Sequence, residues 1–285
     1  MKHSRMTHEQ IEAYRNFLQT EEKSELTVDK YIRDVKKLME FTSGAPLTKE
    51  LCTAYKTYLM ERHYSAQSTG YAPRSINSML AAVNSFLTYL GLSDCRVKQL
   101  RIQKQTYCSS DTILTRREYQ KLVEAARGRQ LCLIMQTMAG TGIRVSELSA
   151  FTVEGLQQGS IRICCKGKNR VILVPSRLRR QLLDYARRHH IQSGPVFTDS
   201  KGQPVSRSTV WRQMKRLCKV TGIAASKVFP HNLRKLFART FYKLEKDIAK
   251  LADILGHYSI ETTRIYIMES GDDHRRKLER MKLII

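Results

Sequence analysis

The stretch 230–266 begins with PHNLR and ends with LGHYSIETTRIY, so it holds two histidines, an arginine and a tyrosine within a short span. Proline suits the first turn of a helix because its missing N–H needs no partner there. Apolar residues recur at helical spacing as far as Leu244, which predicts a helix over 230–244. His231 and Arg234 lie three positions apart, away from that apolar stripe. We therefore expect one buried face and one open face that offers both residues.

A short apolar helix and a tyrosine-bearing helix are predicted next. The run 248–255 is apolar and is followed by Gly256, a typical C-terminal cap. His257 comes directly after the cap, and Ser259 is a typical N-cap for a further helix. Tyr266 falls two turns into that helix, so a histidine stands just before the element that carries the tyrosine.

These residue types indicate a reaction class. A neutral tyrosine is a poor nucleophile, so it needs a proton acceptor and groups that stabilise the developing charge. Histidine commonly transfers protons near neutral pH, and the planar guanidinium of arginine suits phosphate oxygens. Together the four residues indicate phosphoryl transfer onto tyrosine. Any one of them alone is more typical of a cap or of a packed helix face.

The net charge is +24, and most of it follows the first 91 residues. Residues 1–91 hold 12 Lys and Arg against 10 Asp and Glu, whereas residues 92–285 hold 38 against 16. A surface this basic attracts a polyanion, and nucleic acid is favoured over membrane because no amphipathic anchor accompanies the charge. A generally adhesive basic protein is the alternative, although it would not need the residue set above.

The composition argues against several classes of protein. With 285 residues the chain is long enough for two domains, and it has no run of about 18 apolar residues. Its start, MKHSRMTHEQ, lacks an apolar signal region, so we expect a cytoplasmic protein. The seven cysteines show no CxxC spacing, which argues against a disulfide framework and a zinc site. We expect no metal and no cofactor.

Residues 1–91 are predicted to form a small helical unit. Four amphipathic patterns are separated by breaks rich in Gly, Ser and Pro. The predicted helices span 7–20, 27–41, 48–63 and 73–90. The polar loop between the last two contains Arg62 and Arg74 as candidate phosphate contacts, although solvated loops look the same.

Residues 92–112 are predicted to link this unit to a second one. The stretch carries spaced cations, namely Arg96, Lys98, Arg101 and Lys104. A basic tether of this kind can follow a sugar-phosphate backbone. A solvated connector fits the stretch equally well.

Residues 113–285 are predicted to combine helices with a β-hairpin. The run 131–138 is nearly all apolar and predicts a buried helix. Arg144 stands at the head of another helix, where Glu147, three residues on, can orient its guanidinium. Alternation of apolar and polar residues over 160–174 predicts the hairpin, around a KGKN tip.

Two basic helices are predicted after the hairpin, at 176–190 and 206–221, with a short strand in the segment 193–205 between them. Arg207 and Arg212 on the second helix are candidate DNA contacts. Basic helix faces are typical of DNA-facing helices and of solvated helices alike, so these residues are supporting evidence only.

Four motifs taken together resemble one protein family. They are TGIRVSEL around Arg144, KGKNRVILVP around Lys166, HNLR from His231 and LGHYSIETTRIY up to Tyr266. In this order and spacing the chain resembles the tyrosine recombinases, that is, the integrase and Xer-like site-specific recombinases. The set is specific, whereas any one motif would be weak.

The resemblance implies a mainly α fold with a small β-sheet. Residues 1–91 would form a helical, SAM-like core-binding domain, and residues 113–285 a mixed α/β catalytic domain, with double-stranded DNA between them. Arg144 and Arg234 would bind the non-bridging oxygens of the scissile phosphate, where charge develops. His257 would hydrogen-bond the same phosphate.

The resemblance also implies how protons and bonds move. Tyr266 would attack the phosphate and form a 3′-phosphotyrosyl bond, with His231 helping to accept its proton. Lys166, or Lys168 as the alternative at the hairpin tip, would protonate the leaving 5′ oxygen. A 5′-hydroxyl can reverse the attack, so neither ATP nor a metal is required.

One position departs from the family pattern. Many members have a second histidine directly after the arginine of the HxxR motif, where this chain has Lys235. Lys235 could add a positive charge near the site, and we include it among the candidate DNA contacts. The departure leaves a catalytically idle DNA-binding relative as an alternative, although such a protein would not need the whole catalytic set.

The C-terminal segment DDHRRKLERMKLII ends in apolar residues. In the resembling family a terminal helix is often handed to a neighbouring protomer, which closes a tetramer on two DNA sites. Docking on its own domain is the alternative. Type IB topoisomerases and telomere resolvases share the chemistry but do not pair two sites, so they remain rival functions.

Overall fold

The structure is a computed structural model that describes residues 5–64, 70–103, 106–165 and 168–283, with the backbone alone at 62–64, 164, 165 and 168. The chain divides into two compact units, Met1–Lys104 and Gln105–Ile285. In the described ranges, no helix has the length and apolar character needed to cross a membrane.

The first unit is a four-helix bundle, as the sequence predicts. Its helices are α1 (His8–Thr20), α2 (Glu25–Thr42), α3 (Lys49–Tyr64) and α4 (Pro73–Tyr89). Aromatic side chains fill its centre, where Tyr14, Tyr55 and Phe86 are fully buried. The rings of Tyr14 and Phe86 meet edge-on with 5.1 Å between centroids. Because each ring buries a large apolar area, this cluster holds the four helices together.

The second unit packs helices around a β-hairpin. Its elements are α5 (Arg116–Ala125), α6 (Gln130–Thr141), α7 (Val153–Gln158), β1 (Ser160–Cys165), β2 (Lys168–Leu173), α8 (Ser176–Arg188), α9 (Arg207–Thr221), α10 (Pro230–Glu245), α11 (Ile248–Leu255), α12 (Ile260–Ile267) and α13 (Gly271–Arg280). The strands are antiparallel, and Ile161 pairs with Ile172 on the inward face. The mainly α fold with a small sheet is therefore confirmed.

Two local predictions differ from the structure. The segment after Arg144 is a 3-10 helix, Val145–Ala150, in which the Glu147 carboxylate accepts from the Arg144 backbone N–H at 2.7 Å. The segment 193–205, where a strand was predicted, forms isolated bridges at Pro195 and Pro204. Proline has no N–H to donate to a ladder, so pairing does not extend from either residue.

The expectation that one open face of α10 offers both His231 and Arg234 is wrong for Arg234. Arg234 is 1% exposed, and Asn232 is buried beside it, whereas Leu244, assigned to the buried stripe, is 80% exposed. The reason is that α6 packs on one side of α10 and α12 and α11 pack against it as well. Arg234 is therefore enclosed although His231, three residues before it, is exposed, and the last turn of α10 is open to solvent.

The predicted linker is largely packed onto the two units. Residues 92–100 lie against α3 and α4. Further on, the Cys108 N–H donates to the Glu269 carbonyl at 3.0 Å, and the Cys108 thiol contacts the Met268 carbonyl at 3.2 Å. The stretch thus begins and ends as part of packed structure because side chains and backbone groups of both units bond it.

Gly142 allows a close approach that α10 needs. It caps α6 with φ +69°, and a Cβ there would lie 2.4 Å from the Phe237 ring. Gly222 caps α9 with nearly the same backbone, φ +68°, but has open space around it. We expect Gly222→Ala to cost about 1 kcal/mol, from backbone strain alone. Gly142→Ala should cost about 3 kcal/mol, since overpacking is added.

Denaturant unfolding of the two variants measures this difference. Both substitutions place the same methyl group on the same left-handed backbone, so the difference in unfolding free energy isolates the crowding against Phe237 and Leu255. Equal losses of unfolding free energy would show that the site around Gly142 relaxes without cost.

Candidate active site

Three segments of the second unit bring the predicted residues together. The start of α10 supplies His231 and Arg234, the turn after α11 supplies His257, and α12 supplies Tyr266. Both histidine rings and the guanidinium carbon lie within 6 Å of the centroid of the Tyr266 ring. The turn is possible because Gly256 caps α11 with φ +61°, a backbone that side chains disfavour. The cap at Gly256 therefore places His257 and α12 next to the start of α10.

Arg234 is the buried centre of the group. Its Nη1 donates to the Gly142 carbonyl at 2.5 Å, and its Nη2 donates to the Leu255 carbonyl at 2.6 Å and to His257 Nε2 at 3.0 Å. Both carbonyls belong to helix C-termini, which carry partial negative charge. Burial, followed by the nearby Arg144, lowers the pKa of Arg234 to about 10, so it stays charged at neutral pH.

Tyr266 lies over this arginine. The residue is 8% exposed, and its ring centroid is 5.9 Å from the Arg234 guanidinium carbon. The rings of His231 and His257 stand nearly perpendicular to it, with centroids at 5.0 and 4.8 Å. This spacing leaves no room for a phosphate between the tyrosine ring and the guanidinium.

His257 is held in one tautomer. Arginine can only donate, so His257 Nε2 accepts from Arg234, and the ring proton lies on Nδ1. Nδ1 then donates to the hydroxyl of the buried Thr263 at 2.8 Å. Burial, with Arg234 and Arg144 next in weight, lowers the pKa of His257 to about 4. The ring is therefore neutral at pH 7, and its single N–H is donated to Thr263. A hydrogen bond from Nε2 to a phosphate would require the proton to lie on Nε2 and the contact with Arg234 to break.

His231 is also neutral at pH 7. The residue as a whole is exposed, but its imidazole is desolvated where it faces Tyr266. This desolvation, with Lys235 and then Arg234 as the nearest cations, lowers the pKa of His231 to about 4. A neutral imidazole beside a tyrosine has a free lone pair that can accept a proton.

Two family models match the chain. The model for the phage integrase family matches residues 112–271, more than half of the chain, and the model for the phage integrase N-terminal SAM-like domain matches residues 11–92. The chain belongs to the phage integrase family. The resemblance read from the four motifs is confirmed.

Curated relatives of this integrase-family protein are tyrosine recombinases. Tyrosine recombinase XerA of Pyrococcus furiosus is 30% identical, and the alignment covers 100% of this chain and 98% of the relative. Tyrosine recombinase XerD of Vibrio cholerae is 25% identical, with 85% of each chain covered. The protein is accordingly a tyrosine site-specific recombinase, and the enzyme class that the motifs indicate is confirmed.

Solved structures share its fold. A lambda integrase tetramer bound to a Holliday junction superposes with a TM-score of 0.73, at 19% identity, over 95% of this chain and 79% of that chain. The crystal structure of XerA recombinase gives a TM-score of 0.53 at 25% identity, over 98% and 100% of the two chains.

Arg144 and its partners form the open side of the recombinase site. Its side chain is 39% exposed, and Nη1 donates to Glu147 Oε1 at 3.1 Å, the contact that the sequence predicts. Arg170, which the sequence analysis missed, donates to Glu147 Oε2 at 2.6 Å and also to the Leu255 carbonyl. Arg144 and Arg234 are thus joined through Glu147, Arg170 and a shared carbonyl.

A sequence signal for Arg170 existed. It has the same parity along β2 as Ile172, which faces the core, so strand alternation points Arg170 inward. Thr263 is similarly one helical turn before Tyr266. The sequence signal for both residues is that each is a polar side chain on the same strand or helix face as a predicted site residue.

Several candidate residues lie outside the described part of the recombinase, namely Lys104 and Lys166 entirely and the side chains of Arg62 and Lys168. The other candidate DNA contacts are exposed, and these are Arg74, Arg96, Lys98, Arg101, Arg207 and Arg212. Lys235 is half-buried, and burial lowers its pKa. Across the described ranges, no group of three His, Cys, Asp or Glu could hold a metal ion.

Proposed function

We propose that this recombinase cuts and rejoins double-stranded DNA through a covalent bond between Tyr266 and a 3′ phosphate. The observation that carries the proposal is the enclosure of Tyr266 by His231, His257 and Arg234. A tyrosine packed only for stability would not need two neutral histidines and a buried guanidinium around its ring. We assign DNA binding to residues 1–91 and catalysis to residues 113–285.

Arg144 and Arg234 have different roles in binding the phosphate. Arg144 is exposed enough to meet DNA first. The Arg234 guanidinium donates hydrogen bonds to two carbonyls at helix C-termini, so its orientation is fixed before DNA binds. When the Tyr266 ring moves off the guanidinium, a phosphate oxygen can take its place. Fixed positive charge then meets the negative charge that develops on the non-bridging oxygens.

The proton path begins at the tyrosine hydroxyl. We assign His231 as its acceptor because the imidazole is neutral and faces the ring. As the tyrosine oxygen bonds to phosphorus, the bond from phosphorus to the 5′ oxygen breaks. Lys166, with Lys168 as the alternative, protonates that leaving oxygen. The phosphotyrosyl bond replaces a phosphodiester bond, so a 5′-hydroxyl can reverse the step without ATP or metal.

We propose that the enzyme acts in the cytoplasm as a homotetramer on two paired sites. The exposure of the C-terminal helix α13 supports this proposal. Within the described residues α13 buries no side chain, and Leu278, Met281 and Leu283 are each more than half exposed. Apolar side chains at a helix end are stabilised when another surface covers them. A second copy of the catalytic domain would supply that surface.

Covalent trapping tests the proposal. Nicked suicide duplexes from the genomic neighbourhood of the gene are incubated with the full chain, denatured with SDS and run on a gel. We expect a 5′-labelled strand to become protein-linked and a 3′-labelled fragment to be released. Tight binding without an adduct on any bound sequence would favour the idle relative. Relaxation of one-site DNA without joint products would favour a topoisomerase.

A further inference from the structure

The chain runs extended along α4 after the 3-10 turn Ser93–Cys95. Asn84 binds the backbone of Val97 twice, since Nδ2 donates to its carbonyl at 2.8 Å and Oδ1 accepts its N–H at 2.8 Å. Asn77 binds Leu100 in the same way, at 2.9 and 2.7 Å. The two asparagines are seven positions apart, so they share one face of α4. Each asparagine side chain bonds both the N–H and the carbonyl of one residue, as a neighbouring β-strand does.

A second helix holds the same segment from another side. Lys49 and Lys56 are also seven positions apart, on α3, and they donate to the carbonyls of Arg96 and Lys98, the latter at 2.9 Å. Four side chains therefore bond six backbone groups of residues 96–100. Backbone groups engaged in this way fix the path of the chain.

The side chains of the segment alternate between core and solvent. Cys95 and Val97 are buried in the bundle core, whereas Arg96 and Lys98 are exposed. The Cα atoms of two residues that lie two positions apart on an extended chain are about 6.6 Å apart. Arg101, Lys49 and Lys56 add positive charge around them, and the acidic residues nearest to the segment in sequence are Asp94 and Asp111. The surface along this segment is strongly positive.

We propose that residues 96–101 form a preformed rail for the sugar-phosphate backbone of one DNA strand, with Arg96 and Lys98 as phosphate-binding residues. Asn77 and Asn84 are positioning residues, because they touch only the backbone of the rail. A free tether with the same charges would lose conformational freedom on binding DNA. The held segment has already lost it, so the same cations bind more tightly. The inference depends on the proposed function in one respect, namely that the ligand is DNA.

Salt-dependent binding of the full chain to a 40-base-pair duplex of mixed sequence tests the rail. Each phosphate contact contributes about 0.9 to the slope of log affinity against log salt. We expect Arg96→Gln with Lys98→Gln to lower the slope by about 1.8. The control, Lys23→Gln with Lys201→Gln, removes two exposed charges elsewhere and should leave the slope nearly unchanged. Equal slopes for both pairs would overturn the rail.

A charge-neutral pair tests the positioning role. We expect Asn77→Ala with Asn84→Ala to lower duplex affinity about tenfold, although no charge changes. Asn16→Ala, on the exposed face of α1, is the control. A folded Asn77/Asn84 double variant that binds like wild type would refute the positioning role. Should it fail to fold, the single variants Asn77→Ala and Asn84→Ala test that role, while the glutamine pair tests whether Arg96 and Lys98 bind phosphates. No cleavage is measured, so failure of the proposed chemistry would not be confused with failure of this inference.

Discussion

Replacing Tyr266 with phenylalanine is expected to lower formation of the covalent DNA adduct by about 10⁴-fold or more. The substitution removes a single oxygen, the nucleophile of the proposed reaction. The phenyl ring keeps its contacts with His231, His257 and Arg234, so the site should stay folded. We expect DNA affinity to change by less than about twofold. The measurement is SDS-resistant adduct on suicide duplexes, beside a gel-shift titration.

Tyr242 provides the matched control for this variant. It lies on α10 and packs against the same small cluster as Tyr266, yet it contacts neither histidine among the described contacts. Tyr242→Phe should form adduct at the wild-type rate. Adduct in Tyr266→Phe would mean that another residue is the nucleophile. Loss of DNA binding in Tyr266→Phe would count against the assignment itself.

Arg234→Lys is expected to lower cleavage by about 10³-fold, although the charge is conserved. The guanidinium is planar and reaches the carbonyls of Gly142 and Leu255 together with His257. An ammonium group cannot span those three acceptors and also face a phosphate. Single-turnover cleavage at saturating protein measures the effect, since saturation removes any contribution from binding.

The control for Arg234→Lys is Arg239→Lys, on the same helix. Arg239 is half-buried, whereas Arg234 is fully buried, and the Arg239 guanidinium donates to the Leu114 carbonyl, apart from the ring cluster. We expect its cleavage rate to stay within about threefold of wild type. Thermal unfolding of both variants separates lost stability from lost chemistry. Wild-type cleavage by Arg234→Lys would show that the guanidinium does not bind the phosphate.

The motifs indicated which side chains lie together in the second unit because His231, Arg234, His257 and Tyr266 come from one short stretch of sequence. Gly256 must cap α11, and a histidine directly after the cap is then fixed in the turn before α12. Tyr266 follows at a set number of turns. Helix spacing and capping are read from neighbouring residues, so the sequence alone indicates which side chains approach one another.

Contacts between distant segments could not be predicted in the same way. Arg170 and Leu255 are 85 positions apart, and Asn84 and Val97 meet only because the chain reverses after α4. The burial of Arg234 also depends on α6, which packs against α10 from far away in sequence. Periodicity reports that a helix has an apolar stripe, but it does not report what covers the opposite face.

The sequence by itself determined the helical units, the hairpin, the reaction class and the family, because those depend on residue types at short, fixed spacing. Only the tertiary structure decided that Arg234 is buried, that His257 accepts from it, and that the basic segment after α4 is held rather than free. The physical reason is that burial and hydrogen bonding are set by whichever distant groups pack alongside, and their free energy depends on that packing.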